Sequence, residues 1–150
     1  MEKITNFYKN RKILVTGATG FKGSWLCSWL LQLGSKVYGT GYSPNKNKNL
    51  FHSLNLNKKI SLELFDIRDF NKIYHLVKTK KPEIIFHLAA QPLVIDSYLN
   101  PMYTLDVNYR GTLNILEAAK RCSSVKTIIC ITTDKVYEHS SKNRNFKETD

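Results

Sequence analysis

Ile13-Leu14-Val15 runs through Thr16 into Gly17-Ala18-Thr19-Gly20-Phe21-Lys22-Gly23-Ser24, and this junction of an apolar strand with a helix-periodic segment decides the fold. Glycines at 17, 20 and 23 let the backbone turn sharply, approach a diphosphate and pack the next helix against the sheet, while free N–H groups at the helix start face the anion. The spacing is GxxGxxG, one residue longer in the turn than the commoner GxGxxG, and its last glycine still falls where helix and strand must touch. By spacing and by context the stretch reads as a dinucleotide site.

Outward from the turn, strand and helix patterns alternate. Lys12 to Val15 reads as a buried strand, and Ser24 to Leu33 as a helix with Trp25, Leu26, Trp29, Leu30 and Leu33 recurring at three and four. That spacing assigns both tryptophans to core or domain-contact packing, and Gly34 sits where a helix C-terminal cap belongs. Lys36 to Thr40 is a second strand, Asn45 to Asn49 an acid-free surface loop, and Leu50 to Leu56 a weak short helix. Ser61 to Phe65 alternates toward Asp66; Asp69 caps a helix to about Val77; Pro82 precedes a further strand, Glu83 to Leu88. Asn100-Pro101 predicts a helix start, Asn as cap and Pro in the first turn, and the helix runs to about Arg121 with Leu105, Leu113, Leu116 and Ala119 apolar. Gly111 within it predicts close packing rather than a kink. Val125 to Ile131 is the last strand.

The alternation predicts an α/β fold of Rossmann type: a three-layer parallel sheet with helices on both faces, the chain stopping before such a domain would close. Residues 1–150 form one unit, long enough for a real core. Lys and Arg exceed Asp and Glu by 23 to 12, a net charge of +11 that would concentrate phosphate-bearing ligands near the surface. The same excess would suit nucleic acid, but the lysines are scattered and no zinc-finger or helix-turn-helix signature accompanies them. Cys27, Cys122 and Cys130 are odd in number and lack metal spacing, as do His52, His75, His87 and His139, so no metal site is expected. Free cysteines, no signal peptide and no apolar run of membrane-spanning length together favour a reducing cytoplasm and no membrane partner.

Ligands of such sheets gather at the carboxyl ends of the strands. Gly17, Asp66, Leu88-Ala89-Ala90 and Thr132-Thr133-Asp134 all fall there. From Phe7 to Asp150 the sequence resembles the extended short-chain dehydrogenase/reductases, and within them the CDP-glucose 4,6-dehydratases. The resemblance is carried by Val15 to Leu26, Asp66-Ile67-Arg68-Asp69, Phe86 to Val94, Asn108 to Thr112, and Thr132-Thr133-Asp134-Lys135-Val136-Tyr137-Glu138. Gln91-Pro92-Leu93-Val94 and Thr132 to Lys135 narrow it, because relatives acting on dTDP-glucose or GDP-mannose usually show Thr-Asp-Glu at 133 to 135. The chain departs from the family pattern at Ala18, usually His, and at Val136, usually Cys.

The resemblance implies transient oxidation of the sugar at carbon 4, loss of water across carbons 5 and 6, and return of the hydride to carbon 6, with NAD as a bound catalyst. It assigns cofactor contacts to Gly17, Thr19, Gly20, Phe21, Lys22 and Gly23 in the turn, to Asp66 and Ile67 at the adenine, to Leu88, Ala89 and Ala90 beneath the cofactor, and to Asn108 and Thr132. Catalysis falls to Thr133 at the carbon 4 oxygen, Asp134 as general acid, and Lys135 as a base or enolate-steadying cation. Read without the family, Asp66 serves equally as a turn or helix-cap residue, Asn108 as a packing amide, and Thr133 to Lys135 as solvated strand-end residues. His87 resembles a structural position of the family, which implies no catalytic role for it. The second strand ends in Thr40-Gly41-Tyr42-Ser43 with no acid for a ribose hydroxyl, so the NAD assignment rests on the family, and Lys46 or Lys48 would suit the 2′-phosphate of NADP. The family's Tyr-x-x-x-Lys pair is not in these residues. The implied whole is a homodimeric CDP-glucose enzyme of which this chain is the N-terminal portion, inactive alone. Another nucleotide-sugar epimerase or dehydratase, or a non-catalytic dinucleotide-binding module, are the alternatives.

Overall fold

The computed structural model describes residues 2–42, 49–133, 137 and 145–149. Its centre is a five-stranded, wholly parallel sheet: β1 Lys12–Thr16, β2 Lys36–Gly41, β3 Ser61–Leu64, β4 Ile84–His87 and β5 Thr127–Cys130, in the spatial order β3-β2-β1-β4-β5. β1 lies in the middle, with Leu14 opposite Tyr38 on one side and Ile85 on the other. Both its faces are therefore covered, which is why Ile13, Leu14 and Val15 are apolar in succession rather than alternating.

Two cores follow from the pleat. Leu14 and Ile85 point to the layer of α4 (Phe70–Lys80) and α7 (Gly111–Lys120), packing with Ile73, Leu76, Val77, Ile115 and Ala118. Ile13, Val15, Val37 and Ile84 point the other way, to Cys27 and Leu30 of α2 (Phe21–Gln32), Phe51 of α3 (Leu50–Ser53), and Leu56. After β3 the chain crosses back to place β4 beside β1, so strand order reverses between these two central strands. A crevice opens at their carboxyl ends for that topological reason.

The expected strands are all present, and Asp69 caps α4 by accepting from the Lys72 amide. Gly34 follows α2 with φ +79°. Several expectations are corrected. Trp25 and Trp29 lie on the outer side of α2, 55% and 53% exposed, which rules out the core and leaves domain contact as the place expected of them. The buried stripe is Gly23, Ser24, Cys27 and Leu30, because a helix pressed onto the glycine turn admits small side chains there. The helix expected from Asn100 to Arg121 is α6 (Pro101–Leu105), a π-helical turn (Asp106–Arg110) and α7. Its inward residues are Val107, Gly111, Ile115, Ala118 and Ala119, while Leu105, Leu113 and Leu116 face outward. The Asn100 side chain makes no capping bond; Pro101 does occupy the first turn. Two short helices, α1 (Glu2–Tyr8) and α5 (Val94–Leu99), have no counterpart in the sequence reading: neither buries a residue fully, so neither carries an inward apolar stripe. The Asn45 to Lys48 loop lies outside the described residues. Among those described, no helix is long and apolar enough to cross a membrane.

Candidate functional site

The site starts where β1 stops. Gly17 takes φ +69°, and a Cβ there would stand 2.9 Å from the Ala89 nitrogen and the Leu88 carbonyl carbon. The turns after β1 and β4 thus touch through an absent side chain, in a conformation other residues rarely adopt. The Gly20 amide closes the turn on the Gly17 carbonyl at 3.0 Å, and α2 begins at once. Gly23 is pressed so closely on the Gly17 carbonyl that a side chain would collide with it. Gly20, as N-cap, has no side chain with which to satisfy the first-turn N–H groups. They present a concentrated positive end at the mouth of the crevice.

That crevice is an open cleft of about 680 Å³, a size suited to a small-molecule ligand. Gly17, Thr19, Gly20, Phe21, Lys22 and Gly23 line it from the turn, Asp66 and Ile67 from the end of β3, Leu88, Ala89 and Ala90 from the end of β4, and Thr132 from the end of β5. Among the residues assigned to the cofactor, Asn108 alone stands outside its lining. It lies behind the cleft and clamps the loop after β4: its Oδ1 accepts from the Gln91 amide at 2.7 Å and its Nδ2 donates to the Gln91 carbonyl at 3.1 Å. The π-helical turn carries Asn108 to that loop.

A largely shielded hydrogen-bond chain, fully buried at its Thr16–His87 step, joins this clamp to the sheet. The Thr112 hydroxyl donates to the Asn108 carbonyl at 2.6 Å, so its oxygen accepts from His87 Nε2 at 3.0 Å. His87 Nδ1 then accepts from the Thr16 hydroxyl at 2.7 Å, and Thr16 Oγ1 receives the Leu88 and Ala89 amides at 3.2 and 3.1 Å. Counting donors and acceptors fixes the neutral Nε2–H tautomer. Burial pushes the His87 pKa down to about 4. His87 is therefore a structural link, as the family resemblance implied, and through Thr16 it is tied to the Leu88 and Ala89 amides beneath the cleft.

At the β3 end, hydrogen bonds from Arg68 hold the Asp66 carboxyl below the usual carboxylate range. Thr133 follows Thr132 just beyond β5 and is exposed. Asp134 and Lys135, the proposed acid and base, lie outside the described residues, as do Val136 and Glu138. The cleft also has walls that the sequence reading missed. Tyr42 and Phe65 immediately follow β2 and β3, so the strand-end rule already used for Asp66 would have found them. Asp96, Tyr103 and Val107 come from the helical side, where no spacing marks them. Among the described residues no cluster of His, Cys, Asp or Glu could hold a metal ion. Cys27 is buried; Cys122 and Cys130 are half-buried free thiols.

Comparison with known proteins agrees with this architecture. The family model described as GDP-mannose 4,6 dehydratase matches residues 14–150. A CDP-glucose 4,6-dehydratase of Salmonella typhimurium is 39% identical over 145 residues, covering 97% of this chain and 40% of that protein. Among solved structures, an epimerase from Methanothermobacter thermautotrophicus superposes with a TM-score of 0.80 at 28% identity, over 99% of this chain and 43% of that one. A Thermus thermophilus UDP-glucose 4-epimerase complexed with NAD gives 0.78 at 28% identity, over 91% and 42%. The chain thus spans about two-fifths of the length of each of these relatives.

Proposed function

The chain belongs to the GDP-mannose 4,6 dehydratase family, within the extended short-chain dehydrogenase/reductases, and on that premise we propose that residues 1–150 are the dinucleotide-binding N-terminal portion of a CDP-glucose 4,6-dehydratase. One observation carries the substrate assignment: the likeness to a CDP-glucose 4,6-dehydratase runs through nearly the whole chain. The cleft supports a nicotinamide dinucleotide, since the glycine turn leaves room for a diphosphate beside the uncapped start of α2. NAD is the proposed form, with NADP as the other arm of the test.

When bound, the dinucleotide would accept a hydride from carbon 4 of the sugar and return it at carbon 6, leaving the reaction redox-neutral. The protein's part is placement and proton handling. Ala89 and Ala90 leave clearance, Asp66 accepts from the adenine amino group, and Ile67 packs beside the ring. Thr133 hydrogen-bonds the carbon 4 oxygen. Lys135 removes the carbon 5 proton, acidified by the carbon 4 ketone, or steadies the resulting enolate, Asp134 protonates the hydroxyl leaving carbon 6 as water, and a proton returns to carbon 5 as carbon 6 regains the hydride. A Tyr-x-x-x-Lys pair of the family pattern would deprotonate the carbon 4 hydroxyl. Leu105, Tyr109, Leu113 and Leu116 form an outward apolar row, 41 to 72% exposed, that supports a homodimer. The absence of a membrane-spanning helix among the described residues is compatible with the cytoplasmic setting proposed.

The test is turnover by the complete enzyme. With CDP-glucose and no added reductant, a product lighter by one water and carrying a 4-ketone is expected by mass spectrometry. Equal or better turnover of dTDP-glucose or GDP-mannose would sink the CDP-glucose assignment.

A further inference from the structure

We infer that Arg68 is a positioning residue that aims the Asp66 carboxylate into the cleft and so sets the protein's preference for a dinucleotide whose purine carries a 6-amino group. The inference rests on the reading of Asp66 as the adenine acceptor given above. Asp66 lines the cleft; Arg68 does not. Arg68 Nε reaches both carboxylate oxygens, at 3.0 and 3.1 Å, Nη2 reaches Oδ2 at 2.6 Å, and the Arg68 amide donates to Oδ1 at 2.9 Å. This fork fixes the plane of the carboxylate as well as its place, which a point-charge lysine would not do.

The guanidinium is itself held from the opposite side. Nη1 bonds Asp106 Oδ2 at 3.0 Å, Arg110 Nε bonds Asp106 Oδ1 at 2.8 Å, and the guanidinium carbon sits 5.0 Å from the ring centre of Tyr103, a cleft residue. Arg68 therefore ties the Asp66 carboxylate to the α6–π-helical rod. The backbone beneath is anchored independently. Asn114 Nδ2 donates to the carbonyls of Ile67 at 3.2 Å and Arg68 at 2.9 Å, and Ile67 Cγ2 fills the space a side chain at Gly111 would need. Replacing the Arg68 side chain should remove the guanidinium fork and leave the carboxylate held by the residue 68 amide alone, free to turn about that single bond, while the loop stays in place.

The chemistry of selection follows from charge. An ionised carboxylate has no donor: it accepts from a 6-amino group and repels the 6-oxo group of a hypoxanthine ring. Only a carboxylate held on the base edge can discriminate in this way. In the complete enzyme, titration calorimetry with NAD and with nicotinamide hypoxanthine dinucleotide tests the point, with circular dichroism confirming the fold of each variant. The parent should favour NAD by about tenfold or more, the size of one hydrogen bond to a charged group. D66N should remove or reverse that preference. R68Q should weaken NAD about tenfold, leave the hypoxanthine analogue within about twofold, and add nothing in the D66N background, while R68K should rescue little. If R68Q weakens both dinucleotides alike, or adds its full effect to D66N, Arg68 is merely structural and the inference falls. If D66N keeps the preference, the adenine reading of Asp66 falls and takes the Arg68 inference with it; if D66N abolishes it and R68Q does not, the Arg68 inference alone is wrong.

Discussion

Substituting Gly17 by alanine probes the element on which the cleft depends. At φ +69° a Cβ costs about 1–2 kcal/mol in backbone strain. It would also stand 2.9 Å from two atoms of the Leu88–Ala89 peptide, which are backbone and cannot rotate away. Overpacking of that kind adds about 1–3 kcal/mol. The sum, roughly 2–5 kcal/mol, corresponds to a fall in melting temperature of about 5–15 °C for a domain of this size. Gly20 supplies the internal control: its φ is −77°, and the nearest atom to an added Cβ is the Gly17 carbonyl oxygen at 3.3 Å. G20A should therefore cost about 1 kcal/mol or less. Thermal unfolding followed by far-ultraviolet circular dichroism, with parent, G17A and G20A side by side, measures the difference. A G17A melting temperature within about 2 °C of the parent, or an equal drop in G20A, would refute the claim that the β1 and β4 turns are in contact through Gly17.

Two further outcomes follow from buried groups. His87 titrates near its ordinary value of 6.5 when unfolded and near 4 when folded, so between those values the unfolded chain binds more protons and stability rises with pH. Its contribution is complete above pH 6.5 and is lost as pH falls toward 4, a span worth about 3 kcal/mol; urea unfolding of the parent across this range should show that loss, and H87Q should flatten it. Burial pushes the Cys27 thiol up to about 12, so alkylation at neutral pH followed by peptide mapping should leave Cys27 unlabelled in the folded protein while half-buried Cys122 and Cys130 react; rapid labelling of Cys27 would contradict its burial on the inward face of α2.

The sequence by itself determined the five strands of the sheet, the longer helices between them and the edge where ligands gather. Those properties are local: apolar runs of strand length, a glycine turn between strand and helix, and caps such as Asp69 depend on neighbours within a few residues. All the residues it assigned to a cofactor except Asn108 line the one cleft, because parallel strands bring their carboxyl ends to one edge whatever their exact register. Which side of a helix faces inward was a tertiary decision. On α2 the tryptophans have the right spacing for a core stripe, yet the approach to the glycine turn selects Gly23, Ser24 and Cys27 instead. On α7 the leucines point outward because Gly111 lets Ile67 dock on the opposite face. The links from Asp66 through Arg68 to Asp106, and from Thr16 through His87 and Thr112 to Asn108, each depend on a step between distant residues: Arg68 to Asp106, 38 positions apart, and Thr16 to His87, 71 apart. No periodicity records such pairs; the crossover connections that lay the helices over the sheet create them.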